Sequence, residues 1–156
     1  MRRLFLFAVL PALALACSGS GGNDTDPDAG GLPECTAEHS LCARITVPAD
    51  FTGTPRQLMA LGFASLPPSG MPSAFFATID DPAIGKDEPY DLVVEDLTAS
   101  GEIYFVISLL MEGGGTMSPE PGIDYVGYEP EPVDFGASPI NLGEIPLSLY
   151  QDAGRG

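Results

Sequence analysis

The chain contains no tryptophan, one histidine and only six basic residues against twenty-two acidic ones. Each scarcity excludes something. Without tryptophan, the commonest stacking platform for sugars is missing. With His39 as the sole histidine, a zinc site of the usual four Cys/His ligands is a poor fit, and a Ser-His-Asp constellation has one possible base. A net charge of −16 with no basic patch repels nucleic-acid phosphates and anionic head groups alike. Gly-x-Ser-x-Gly, His-Glu-x-x-His, a phosphate loop and the dinucleotide Gly-x-Gly-x-x-Gly are all absent. After residue 33 no stretch carries a 3.6-residue apolar period of helical length.

Long apolar runs are also scarce, with one exception. Leu4 to Ala16 is uncharged and follows Arg2 and Arg3. As a helix it would span roughly 20 Å, short of the roughly 30 Å hydrocarbon core, and Pro11 interrupts it. Residues 1–16 therefore read as a cleaved export signal rather than a membrane span. Ala14-Leu15-Ala16-Cys17 resembles the lipobox of bacterial lipoproteins. That resemblance implies cleavage before Cys17 and lipid on its sulfur. It implies a membrane held through lipid, since charge would repel it. Ser18 after the cysteine, rather than Asp, is similar to outer-membrane sorting, on the periplasmic or the surface face.

The cysteine count agrees. Three cysteines are odd for an exported chain, and giving Cys17 to lipid leaves Cys35 and Cys42 to pair in an oxidising compartment. Closing so short a loop is worth ~2.5 kcal/mol in the chain-entropy view. Between them and the signal, residues 17–33 form an acidic Gly/Ser/Pro tether with a root-mean-square reach of roughly 20 Å. Asp24, Asp26 and Asp28 have the spacing that opens an EF-hand loop. Ala29 stands where that loop needs Gly, and Cys35 where it needs a bidentate Glu.

Residues 34–150 read as one all-β domain, a single antiparallel β-sandwich of about seven strands, with 151–156 as a disordered tail. Strands are expected over Ala43–Val47, Leu58–Leu66, Ala74–Ile79, Tyr90–Leu97, Ile103–Met111, Asp124–Tyr128 and Ile140–Tyr150. Ile103, Phe105, Ile107, Leu109 and Met111 share one face by period two; the opposite face is also largely apolar, which places that strand centrally. Leu92 and Val94 are expected to face the same layer. In the third strand Phe75, Ala77 and Ile79 alternate against Phe76 and Thr78. Ile145, Leu147 and Leu149 point inward in the last strand, where Pro146 marks an edge or a bulge. The Pro-, Gly- and acid-rich stretch Thr116–Ala137 reads as an irregular cap at one end.

Two pieces resemble the prealbumin-like sandwiches, which include carboxypeptidase regulatory-like domains. One is Ser100-Gly101-Glu102-Ile103-Tyr104-Phe105-Val106-Ile107, the other Asn141-Leu142-Gly143-Glu144-Ile145-Pro146-Leu147. The resemblance implies the sandwich fold and a binding or accessory role. The residues that hydrolases of that family use do not carry over: His39 lies in the cysteine loop, and the chain ends Tyr150-Gln151-Asp152-Ala153-Gly154-Arg155-Gly156.

Two sites remain as candidates. Asp80, Asp81, Asp87 and Glu88 crowd one Pro/Gly-containing connection and supply the oxygens a calcium ion takes, with Lys86 among them as an opposing charge. Tyr125, Tyr128 and Phe135 in the late loop form a candidate binding patch, since aromatics are enriched at interfaces; the same rings would otherwise pin the loop to the core. Paired acids such as Glu95-Asp96 read as solvated surface. The expected protein is a non-enzymatic, cofactor-free, lipid-anchored protein of a Gram-negative outer membrane, with a binding or structural sandwich whose partner is an envelope protein or glycan. The alternative is a calcium-dependent adhesion or carbohydrate-binding module. A third reading, an envelope hydrolase, lacks a catalytic constellation.

Overall fold

A computed structural model describes residues 32–136 and 139–151. Cys17, the tether up to residue 31 and residues 152–156 lie outside the described residues, so the anchor, the Asp24/Asp26/Asp28 spacing and the tail are not addressed by it. Among the described residues there are nine strands and no helix. They are β1 (Leu41–Thr46), β2 (Pro55–Phe63), β3 (Ala74–Asp80), β4 (Tyr90–Val94), β5 (Glu102–Met111), β6 (Tyr125–Tyr128), β7 (Val133–Asp134), β8 (Ile140–Pro146) and β9 (Ser148–Leu149). The count exceeds the expected seven because β7 is a two-residue pairing too short to leave a period in the sequence, and because the expected strand Ile140–Tyr150 divides into β8 and β9.

The strands form two packed sheets, an all-β sandwich. The smaller has the order β4-β1-β8; the larger runs β3-β2-β5-β6-β9, with β7 pairing onto the start of β5. All neighbours are antiparallel except β1 and β8, where Ile45 lies beside Ile145 in a parallel pair. Parallel neighbours need a long crossover, and here β2 to β7 all intervene between them in the chain. The expected last strand is in fact two. Leu147 breaks it after Pro146, and the chain changes sheets: β8 lies at an edge of the smaller sheet, whereas β9 pairs with β6 in the larger. Ile145 and Leu147 are buried as expected, but Leu149, past the change of sheet, is 39% exposed.

Between the sheets, Phe105, Ile107, Leu109 and Met111 of β5 meet Leu41, Ala43 and Ile45 of β1 and Leu92 and Val94 of β4. Phe105 is fully buried, which at about 25 cal/mol per Å² of apolar surface stabilises the fold by ~2–3 kcal/mol. The larger sheet has apolar side chains on its other face too. Met59, Leu61 and Phe63 of β2 cluster there with Val106 and Leu110 of β5, and Leu66 packs against them.

The register of β3 departs from simple alternation. Ala60 pairs with Ala77 but Leu61 pairs with Phe75, so Phe76 is an extra residue in the ladder. Such a bulge resets which face the side chains take. Phe76 joins Ala77 and Ile79 against the core, and Phe75 turns out to 62% exposure. Gly62 of β2 makes the inward position possible: a Cβ there would lie 3.1 Å from the Phe76 ring and 2.7 Å from Ile103 Cγ2.

Candidate functional site

The residues able to carry chemistry gather at the two ends of β5. Where the strand finishes, Asp124 is fully buried. Its Oδ1 accepts the Met111 N–H at 2.7 Å, and its Oδ2 accepts those of Gly115 at 2.8 Å and Glu120 at 2.6 Å. Three backbone donors satisfy a carboxylate that would otherwise be costly to bury. Gly114 must be glycine for this, since a Cβ would collide with the carboxylate. An Arg56 guanidinium N–H donates to the Gly115 carbonyl and ties β2 to the same turn. This end is closed by its own hydrogen bonds.

Where β5 begins, the sandwich is open. A cleft of about 540 Å³ lies between the start of β3 and the segment that joins β4 to β5. Phe75 and Phe76 line one wall, and residues 94–100 with Glu102 and Ile103 line the other. The Phe76 ring is stacked on Phe135 at 4.7 Å, which holds that wall in place. Glu95, Asp96 and Glu102 are exposed, and their carboxylates accept no hydrogen bond among the described residues. Asp96 adopts φ +56°, a left-handed conformation that Asp tolerates better than most residues and that turns the chain out of β4. No Lys, Arg, His or Cys lines the cleft.

The cysteine pair supports this wall. Cys35 and Cys42 form a disulfide with Cα atoms 5.6 Å apart. The loop it closes presents the His39 carbonyl to the Leu97 N–H at 2.8 Å, and the Ser40 carbonyl to the Ile140 N–H at 2.9 Å. A local staple thus holds the middle of the 95–100 segment in place. Beside it, Arg44 and Asp91 face each other across β1 and β4. The Arg44 Nε and a terminal guanidinium nitrogen reach the two Asp91 oxygens at 2.7 and 2.8 Å. That bidentate hydrogen bond, reinforced by the guanidinium charge, lowers the Asp91 pKa below its usual value.

The candidate sites expected from the sequence fare differently. The aromatic patch is not a surface unit. Tyr125 is buried, with its ring 5.0 Å from that of Phe51, and Phe135 is buried against Phe76; Tyr128 alone of the three is exposed, at 55%. Inward rings recover burial free energy that a solvated loop would forgo, so two of these residues pin the loop to the core. Asp80 is the last residue of β3, and Asp81, Asp87 and Glu88 lie in the β3–β4 connection; all four are exposed. Asp80 Oδ1 accepts from Gln57 Nε2 at 2.7 Å, Asp81 turns at φ +48°, and Glu88 closes a small backbone bridge with Gly85. The four are not brought together as a metal centre: among the described residues no group of three or more His, Cys, Asp or Glu is arranged to hold an ion.

Sequence reasoning missed the cleft. Glu95 and Asp96 were visible as a pair of acids, but Glu102 comes from another element. Phe75 reads as an ordinary strand residue until the bulge is known. Comparison of the chain with protein-family models, with curated proteins and with solved structures finds no match.

Proposed function

We propose that this chain is a lipid-anchored cell-envelope protein whose β-sandwich serves as a non-catalytic binding or structural module. Cys17 would carry the lipid at the outer membrane, and the acidic tether would hold the domain off the bilayer. The observation that carries the binding half of this reading is the open cleft at the start of β5, with exposed carboxylates and an exposed Phe75 around it. Its volume lies within the roughly 300–1,000 Å³ of ligand sites. The anchoring half rests on the Ala14-Leu15-Ala16-Cys17 sequence and on the odd cysteine count. The likeness of Ser100–Ile107 and Asn141–Leu147 to prealbumin-like sandwiches belongs to the same reading, because that family hosts accessory domains without chemistry of their own.

The test is metabolic labelling with palmitate, followed by membrane fractionation. The wild-type chain should incorporate label and sediment with membranes. Cys17→Ser should lose the label and pass to the soluble fraction, because a single acyl modification site is replaced and no helix among the described residues is long and apolar enough to cross a membrane. Membrane association that persists in the unlabelled variant would refute the anchor.

A further inference from the structure

We infer that the cleft beside β3 takes an extended, basic peptide segment that adds as a strand to the free edge of β3. The inference rests on the reading of the domain as a binding module and names the class of partner. β3 is the terminal strand of the larger sheet. It pairs with β2 on one side, and among the described residues no strand pairs with its other edge. An unpaired edge offers a row of backbone N–H and C=O groups, which an extended chain satisfies by strand addition.

Natural edges are commonly blunted by lysine or proline, and the segment Ala74–Asp80, AFFATID, has neither. Its one irregularity, the bulge at Phe76, turns Phe75 outward at the cleft mouth, where a side chain of an added strand would find an apolar contact. The charge selects the partner. Glu95 and Asp96 line the cleft opposite the first residues of β3, and Glu102 lines it from β5, on the far side of β2; no basic residue is among the lining, in a chain of net charge −16. A segment alternating Lys or Arg with apolar residues would place its cations against these carboxylates and an apolar side chain on Phe75. A second copy of the chain would bring like charge to the same edge and is disfavoured for that reason.

The test uses full-length protein extracted in mild detergent and a fluorescent eight-residue peptide alternating Lys and Val, read by anisotropy. Three further probes accompany it: the same peptide N-methylated at alternate residues, a Glu/Val peptide, and the variant Glu95→Gln/Asp96→Asn/Glu102→Gln, whose melting should match the parent. The Lys/Val peptide should bind, and binding should weaken about tenfold or more on N-methylation, in the triple variant, and with Glu replacing Lys. It should also weaken as salt is raised. Binding of the Lys/Val peptide that is indifferent to N-methylation or to loss of the three carboxylates overturns the proposal. So does absence of binding, or a concentration-dependent dimer that occupies the edge instead. The anchoring result is independent: a chain that carries lipid at Cys17 but ignores the peptide keeps the envelope reading and loses only this one.

Discussion

Asp124, at the end of β5, is fully buried and accepts three backbone N–H groups, while Glu95, Asp96 and Glu102, at the start of the same strand, stand exposed around a cleft. Ten strand residues, roughly 30 Å, separate the two ends. Both are built from connections rich in acid, and Gly and Pro surround Asp124, yet the carboxylates do opposite work. At the closed end the chain folds back so that its own amides surround the charge. At the open end the chain leaves β4 through Asp96 in a left-handed turn, which carries the acids outward, and the disulfide loop holds that segment from behind. An acidic loop is therefore a structural plug when backbone donors converge on it, and a surface available to a partner when they do not.

The two ends share one core, and the largest expected loss lies there. Phe105→Ala should cost ~3–5 kcal/mol, seen as a much lower melting temperature or failure to accumulate, because the residue is fully buried between the sheets. A variant that melts like the parent would mean the inward face of β5 has been misassigned. Next in size is the staple at the open end. Reduction of Cys35–Cys42 should remove ~2.5 kcal/mol, a drop of roughly 10 °C in a melt with reductant, and should speed exchange of the Leu97 amide that the His39 carbonyl holds. An unchanged Leu97 would separate the disulfide from the cleft wall.

The smallest effect is the Arg44–Asp91 pair. Its hydrogen bond lowers the folded-state pKa of Asp91, so its contribution is fully present above the unfolded value, near ~3.9, and is lost as the pH falls through the lower folded value. Asp91→Asn should leave the melting temperature nearly unchanged at pH 7, because the Asp91 carboxylate is exposed and water screens the pair, and should make it less steeply dependent on pH below about 4. An acid limb as steep as that of the parent would show that other carboxylates govern it.

Much of the sandwich was legible because its strands keep period two over enough residues to show a face. Phe105, Ile107, Leu92 and Val94 could be assigned from alternation alone. The departures come from information that one strand does not contain. The bulge at Phe76 exists only in the pairing of β3 with β2, and Phe75 and Phe76 are the same residue type, so local hydropathy cannot say which turns inward. The parallel neighbour of β1 is set by a return of the chain across the whole domain. Pro146 signalled an edge strand, but the change of sheet at Leu147 depends on β6 being there to receive β9. In the late loop, acid and proline around Tyr125 and Phe135 suggested solvent, yet each ring finds an aromatic partner distant in sequence. Asp124 was opaque for the same reason: its donors lie four, nine and thirteen residues away. The cleft acids come from two elements whose meeting depends on the fold.

Amide hydrogen exchange on the parent and on Asp124→Ala tests the contrast between the ends most directly. In the parent, the amides of Met111, Gly115 and Glu120 should exchange slowly, each being held by the buried carboxylate. In the variant these three should exchange about tenfold faster or more, while Leu97 and Phe135, held at the cleft end by the His39 and Gly101 carbonyls, keep the protection they had relative to the rest of the domain. If the three amides already exchange freely in the parent, or if the variant loosens both ends alike, then Asp124 does not close its end of the sandwich, and the division between a closed end and an available one is wrong.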